Sequence, residues 1–555
     1  MKILIIGGYG TFGGRLAHLL ADDERLTLLI TGRSKQKAEA FCKQLTSKAN
    51  KQALFFDREG DVESQIREIK PALVVDATGP FQIYGDDPYK VIKACIANGV
   101  DYVDLADGTE FVKNVHQFDG EAKSKNMFVL SGVSSLPVLS AAVVRRLSRD
   151  ALKIHSITAG IAPSPYAGVG LNVIRAISSY AGKRLQLIRE HKTAYAYALT
   201  ETMRYTIAPP GHLPLNNNLY SLVDVPDLQV LPELWPEVDS IWMGAGPVPE
   251  ILHRMLIGLS WLVRLHLLPS LLPFARLFHF VMNILRWGEH RGGMFVLIHG
   301  TDREGKKVER SWHLVAEGND GPFIPSMGIT ALIRNILAGN RPVNGARPGT
   351  RDVELEDYEA IFRTKLIYTG QREVTENTHK EPLYQRLLGS AWESLPASLK
   401  KLHASGEAEG RATVEVGKNP IAWLIANIVG FPKAGDDIPV KVSFEKKDNG
   451  ELWRRSFAGR PFSSFHREGT GYSERLLSER FGPAVFDQAL VLGDGKLSFI
   501  VRRWSVFGIP LPRALAPMGD TFEHEVDGRF HFHVEIKMPI IGLIVRYQGW
   551  LVPKA

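Results

Sequence analysis

Cysteine is nearly absent: the 555 residues contain two, Cys42 and Cys95, both inside helical patterns. So few thiols exclude a disulfide scaffold and a cysteine-rich zinc cluster, and they suit a reducing, cytoplasmic setting. Long uncharged apolar runs are missing as well. The most hydrophobic stretch, 248–287, is cut by Arg254, Arg264, Arg276 and Arg286 into runs of nine to eleven residues, whereas a bilayer crossing needs about 20. The net charge of +7 is modest for this length and spread out, so no nucleic-acid partner is expected. A strand pattern begins at Ile3, and a signal peptide ahead of it is not expected. Hydrophobic residues make up 45% of the chain, enough for two to four globular domains of about 150 residues each.

What is present starts at the first strand. Ile3 to Ile6 is a continuous apolar run, the pattern of a strand buried on both faces of a parallel sheet. It leads into Gly7-Gly8-Tyr9-Gly10-Thr11-Phe12-Gly13, and a helical pattern with Leu16, Leu19 and Leu20 on one side follows. In that setting Gly8-x-Gly10-x-x-Gly13 has a mechanism. Gly8 permits the tight turn, Gly10 lets the backbone approach a pyrophosphate, and Gly13 allows helix to pack closely on strand. A bound dinucleotide is expected.

One further absence selects the dinucleotide. Strand two should be Leu26 to Thr31, and an NAD enzyme usually carries Asp or Glu at its end to hold the ribose hydroxyls. Residues 25–38 contain no acid, while Arg33, Ser34 and Lys35 could hold a 2′-phosphate. The expected cofactor is NADP(H). Asp57, at the tip of strand three, is a candidate adenine contact. Ala77-Thr78-Gly79-Pro80-Phe81, after strand four, should pass under the pyrophosphate and nicotinamide half, and Ser131-Gly132 should do so after the strand Met127 to Leu130.

Strands and helices alternate through residue 147, which predicts a doubly wound parallel sheet with ligands outside its carboxyl ends. Asp76-Ala-Thr-Gly-Pro-Phe81, Asn98-Gly-Val-Asp-Tyr-Val-Asp-Leu105 and the Ser131-Gly loop before Pro137-Val-Leu-Ser140 resemble the saccharopine dehydrogenase-like reductases. The resemblance covers roughly residues 1–150 well and 150–372 loosely. It implies an NADP-dependent oxidoreductase whose Rossmann domain, residues 1–147, is completed by about 323–372. It fixes the cofactor better than the substrate, because the family is chemically wide. A short-chain dehydrogenase mechanism, built on a Tyr-x-x-x-Lys pair, is not expected.

Residues 148–322 read as an inserted α+β substrate domain, with a hairpin signal at Thr301 to Gly305. Tyr166, Asn172, Tyr205, His212 and His299 are polar groups that could enter a cleft, each read first as structural, and no catalytic residue is assigned. Within 248–287, Pro269 and Pro273 separate two helices. In the second, Arg276, His279, Asn283 and Arg286 share one face and Leu277, Phe280, Val281 and Ile284 the other. That pattern leaves open a peripheral membrane contact, a substrate lid or homodimer contact, and plain core.

A polar stretch, 373–382, reads as a linker. Beyond it a helix is expected from Leu383 to His403, then alternating strands joined by Asp448-Asn-Gly450, Asp494-Gly495 and Asp527-Gly528. Residues 383–555 are therefore expected to form an antiparallel, β-rich α+β domain with a curved sheet. Phe465-His466-Arg467, His524, His531 and His533 are read as polar strand faces, with no metal site expected. The leading functional reading is a cytoplasmic NADPH-dependent reductase of a hydrophobic or carrier-bound carbonyl or enoyl substrate, near a membrane surface. An amino-acid imine reductase and a non-catalytic NADP-binding sensor or lipid-binding protein stay open.

Overall fold

A computed structural model describes residues 1–150, 152–447 and 449–554; Asp448 of the expected Asp448-Asn-Gly450 turn lies outside them. The chain divides into two compact units, Met1–Arg204 with Asn218–Tyr368, and Tyr205–Asn217 with Thr369–Ala555.

In the first unit the apolar runs become β1 (Lys2–Ile6), β2 (Thr27–Gly32), β3 (Asn50–Phe55), β4 (Leu73–Asp76), β5 (Asp101–Asp104), β6 (Phe128–Ser131) and β7 (Gly345–Pro348). They form one parallel sheet in the order β7-β6-β5-β4-β1-β2-β3. Ile3, Leu4, Ile5, Leu73, Val74 and Val75 are fully buried because helices cover both faces. α1 (Thr11–Leu20) follows β1, and the apolar helix Ile324–Leu337 packs beside it. The strand order reverses between β1 and β4, which opens a crevice outside their carboxyl ends.

The same unit holds five strands of a second, mixed sheet. Lys153–Ala162 lies at its centre, parallel to Ser240–Ala245 and antiparallel to Gly292–Thr301. The latter forms a hairpin with Lys307–Ala316, whose turn Asp302 stabilises by accepting from the Glu304 and Lys306 N–H groups at 2.9 Å each. Among the helices of this region are α2 (Leu171–Tyr180), α3 (Glu250–Arg264) and α4 (Ala275–Ile284). α3 and α4 are separate helices, with both prolines between them. α4 ends at Ile284, so Arg286 falls just beyond the helix.

In the second unit the expected curved sheet closes on itself. Ten antiparallel strands run from Ala484–Gly493 round to Lys496–Val506, and these two pair directly through the Asp494-Gly495 hairpin. Both turn residues have positive φ, 51° and 72°, which a right-twisted two-residue hairpin requires and which Asp-Gly adopts readily. The helix expected over 383–403 is broken. Leu383–Leu388 ends at Gly389, whose φ is +55°, and a second helix, Ala397–His403, starts after Pro396.

Ionisable groups are buried among the barrel's aromatic side chains. Glu479 accepts from Ser464 and Gln488 at 2.8 Å each, and the His466 ring nitrogen lies 2.8 Å from it. His403 meets Glu523 at 2.6 Å, Trp453 stacks on His466 and Tyr384 on His403. Burial pushes the Glu479 carboxyl up, but His466, Arg455 and Ser464 together outweigh it and hold the group down at about 2. A depressed carboxylate lends stability above its unfolded pKa, and that stability is lost as pH falls. The thermal midpoint of this unit, followed by tryptophan fluorescence, should therefore drop below a pH of about 5. Glu479→Gln should cost about 1–3 kcal/mol at neutral pH and flatten the acid dependence.

Candidate functional site

The crevice between β1 and β4 widens into a cleft of about 990 Å³. Its floor is the turn after β1. The Gly8 N–H donates to the Thr31 carbonyl at 2.9 Å and the Gly10 N–H to the Gly7 carbonyl at 2.8 Å, so the chain folds back tightly before α1 begins. A Cβ on Gly13 would lie 2.3 Å from the Gly7 oxygen, closer than any side chain can approach. No side chain caps α1 and no acid occupies its first turn. Its terminal N–H groups and partial positive charge suit a diphosphate. Gly7, Tyr9, Gly10, Thr11 and Phe12 all line the cleft, while Gly8 and Gly13 shape the turn beneath them.

Beyond β2, Arg33 stands on the cleft wall. Ser34 and Lys35 do not. Ser34 caps the next helix, accepting from the Lys37 N–H at 3.3 Å, and its own N–H donates to the Tyr9 hydroxyl at 3.1 Å. Lys35 lies 4.0 Å from Glu39. After β3 the wall is Asp57, Arg58 and Glu59. Arg58, like Asp107 below, is not among the residues expected from the sequence. Its guanidinium lies 3.4 Å over the Tyr84 ring and donates to the Pro88 carbonyl at 3.1 Å. The basic residue directly after Asp57 was the available signal, since both follow the same strand end.

On the other side of the crevice, buried Asp76 shapes the β4 loop. One carboxylate oxygen accepts from the Thr78 N–H at 3.1 Å and from its hydroxyl at 2.6 Å, and the Gly79 N–H donates to the Tyr84 hydroxyl at 2.8 Å. Ala77, Thr78, Gly79, Pro80 and Phe81 line the cleft as a result. Ser131 and Gly132 do not. Both are buried and donate to Asp104, at 3.0 and 2.7 Å, and the wall after β6 is made by Ser134, Ser135 and Leu136 instead. Burial raises the Asp104 carboxyl to about 7 despite these donors. An acid at the end of β5 thus fixes the loop after β6.

Asp107 differs from both. It lines the cleft and accepts from Gln82 at 3.2 Å. Burial pushes its carboxyl above the ordinary range against that hydrogen bond, and the charge of nearby Asp224 adds to the rise. Tyr180, at the end of α2, feels both acids and is raised far above its usual value, chiefly by burial. A half-buried, raised carboxyl open to a cleft can carry a proton into it. The sequence does contain one Tyr-x-x-x-Lys spacing, Tyr89 to Lys93. However, the Tyr89 hydroxyl donates to the Phe111 carbonyl at 3.1 Å and Lys93 pairs with Asp87 at 2.9 Å; neither lines the cleft.

A second, apolar cavity of about 190 Å³ adjoins the cleft and shares Thr11, Phe12, Ser135, Ile161, Gly170, Val173 and Pro325 with it. Pro163, Val169, Met294 and Ile324 contribute to its wall. Of the polar candidates, Asn172 reaches the cleft and donates to the Gly79 carbonyl at 3.2 Å. Tyr166 stacks on His290, a lining residue of the apolar cavity, at 3.5 Å. His299 is exposed beside Glu309. Tyr205 and His212 belong to the second unit.

Residues 3–130 match the saccharopine dehydrogenase NADP binding domain, and residues 395–551 match a domain of unknown function, DUF4166. The first unit thus carries an NADP-binding domain of that type, and its cofactor is NADP(H). The chain is 24% identical over 153 residues to the saccharopine dehydrogenase-like oxidoreductase of Rattus norvegicus, covering 24% of this chain and 35% of that protein. It is 26% identical over 125 residues to that of Mus musculus, covering 20% and 28%. The matches thus span about a third of the length of these curated relatives. Among solved structures, apo saccharopine dehydrogenase (L-Glu forming) from Saccharomyces cerevisiae matches 67% of this chain and 100% of its own, at 13% identity and a TM-score of 0.47.

The 2.3 Å approach at Gly13 sets a test of the cofactor site. Gly13→Ala should weaken NADPH binding by at least about tenfold in a fluorescence titration, because the turn must open by roughly an ångström to admit one methyl group.

Proposed function

We propose that the protein is an NADPH-dependent reductase of a hydrophobic carbonyl or enoyl substrate. One observation carries this reading: the cleft that suits the dinucleotide adjoins an apolar cavity through a shared wall and includes a carboxyl raised by burial, Asp107. The amides at the start of α1 would hold the diphosphate. Arg33 and Arg58, on the wall after β2 and β3, would hold the adenosine phosphate. When bound, NADPH supplies a hydride from its nicotinamide ring. The loop Thr78–Phe81, tied by Asp76 and Tyr84, sets the position of that half of the cleft. The apolar walls exclude water and take the substrate's carbon chain. Asp107 holds a proton at its carboxyl and gives it to the substrate atom left negative by reduction.

An imine formed from amino acids would bring several carboxylates. The apolar cavity offers little to receive them: Arg15 donates to the Ala167 carbonyl at 3.1 Å and His290 is stacked on Tyr166. An uncharged substrate body fits better.

Two outcomes test the reading. Arg33→Ala should lose about 1.5–3 kcal/mol of NADPH binding, roughly 10- to 150-fold, and leave NADH binding unchanged in the same titration. Asp107→Asn should lower kcat about 10²- to 10⁴-fold. Because Asp107 must be protonated to act, wild-type kcat/KM should fall as pH rises through a pKa above the usual carboxylate range, and the variant should lose that limb of the profile.

A further inference from the structure

The apolar stretch of the first unit shows a surface that the reductase reading leaves unused. Residues 251–288 contain four arginines and no aspartate or glutamate. α3 is anchored by buried His253, Ser260 and Val263, and α4 by Ala275, with Phe278 packed against the small core around Val263 and Leu271. Their other sides carry large apolar groups into solvent. On α3 these are Ile251, Met255 and Trp261; on α4 they are Leu277, Phe280 and Ile284, at i, i+3 and i+7 along one stripe. Phe280 and Ile284 are about 60% exposed, and Leu265, Phe274 and Trp287 near the helix ends are open as well. Apolar side chains scattered singly over a surface are ordinary, but exposed apolar groups gathered on two helices that share one small core mark a surface that becomes covered.

We infer that α3 and α4 dock on an anionic lipid surface. Neither helix can cross a bilayer; among the described residues no helix is long and apolar enough to do so. Each can lie in the headgroup region, with its exposed stripe among the acyl chains and its tryptophans at the boundary. The charge fits that occupant. Arg276 is exposed, with no carboxylate beside it among the described residues, and Arg286 donates only to neighbouring Asn283. A second copy of the chain fits less well. In a twofold contact the patch meets itself, which brings Arg276 and Arg286 together, while the acids at its two ends, Glu250 and Glu289, are already paired with Arg204, Arg254 and Arg291. The surface also adjoins the site: α4 packs on α2, whose Asn172, Val173 and Arg175 line the cleft. A lipid-like substrate would then have a short route from bilayer to cavity. The docking itself does not depend on the reductase reading, since lipid binding is measured without turnover.

The test is flotation of the full chain with vesicles of phosphatidylcholine, alone or mixed with phosphatidylglycerol. Wild type should float with the mixed vesicles, more weakly with phosphatidylcholine alone, and less as salt rises. Phe280→Asp with Ile284→Asp should cut the bound fraction at least about fivefold while NADPH binding, the check on folding, is kept. Arg276→Glu with Arg286→Glu should remove the preference for phosphatidylglycerol. Failure of wild type to float with either vesicle would overturn the inference whatever the variants do. So would equal flotation of the aspartate variant, or a wild-type dimer that this variant dissolves, which would make the second copy the occupant. Loss of NADPH turnover with flotation intact would count against the reductase reading alone.

Discussion

The first unit depends on how closely its chain can pass itself after β1. With no side chain at Gly13, the start of α1 comes against the Gly7 carbonyl, and the helix begins at the very edge of the sheet. That places unpaired N–H groups at the one point where neighbouring strands send their loops to opposite sides. Loops after β2 and β3 turn one way and supply Arg33 and Arg58. Loops after β4, β5 and β6 turn the other and supply the Thr78–Phe81 segment, Asp107 and Ser134–Leu136. A bulkier residue at the turn would push α1 outward, and the two half-sites would no longer share a floor.

Three carboxylates on the second side differ in what they face. Asp76 and Asp104 sit at strand ends, buried, and their oxygens collect donors from the loops that follow. Their hydrogen bonds serve to fix backbone. Asp107, three residues after Asp104, has passed the strand end and meets a single side-chain donor, Gln82. Burial is the largest influence on all three and raises each carboxyl, and Asp107 is the one of the three that lines the cleft. A shift of three residues along one loop thus separates an acid turned to backbone donors from one that faces the cleft.

Much of this was legible in the residue order. The glycine turn, the acid-free stretch after β2 and the continuous apolar strands are local patterns, and each constrains its own neighbourhood. What escaped depends on contacts between distant segments. Arg58 matters because Tyr84 and Asp76 hold it, and nothing near residue 58 announces them. Ser131 and Gly132 have the composition of a cofactor loop, yet Asp104, 27 residues earlier in the case of Ser131, takes both. Closure of the barrel was out of reach for a related reason. Alternating strands and Asp-Gly turns are the same in an open curved sheet and a closed one, and only the pairing of Ala484–Gly493 with Lys496–Val506, together with the long-range seam described next, completes the ring.

That ring has a consequence in time. Within it, Glu407–Val416 pairs on one side with Gly435–Lys447, a near neighbour in the chain, and on the other with Gly542–Pro553. During synthesis every other strand of the barrel is made while this one still offers an unsatisfied edge. The ring cannot be finished co-translationally in stages; its longest-range seam must wait until Gly542–Pro553 has left the ribosome. Until then the nascent barrel is an open sheet with an unpaired border, which the finished ring no longer presents.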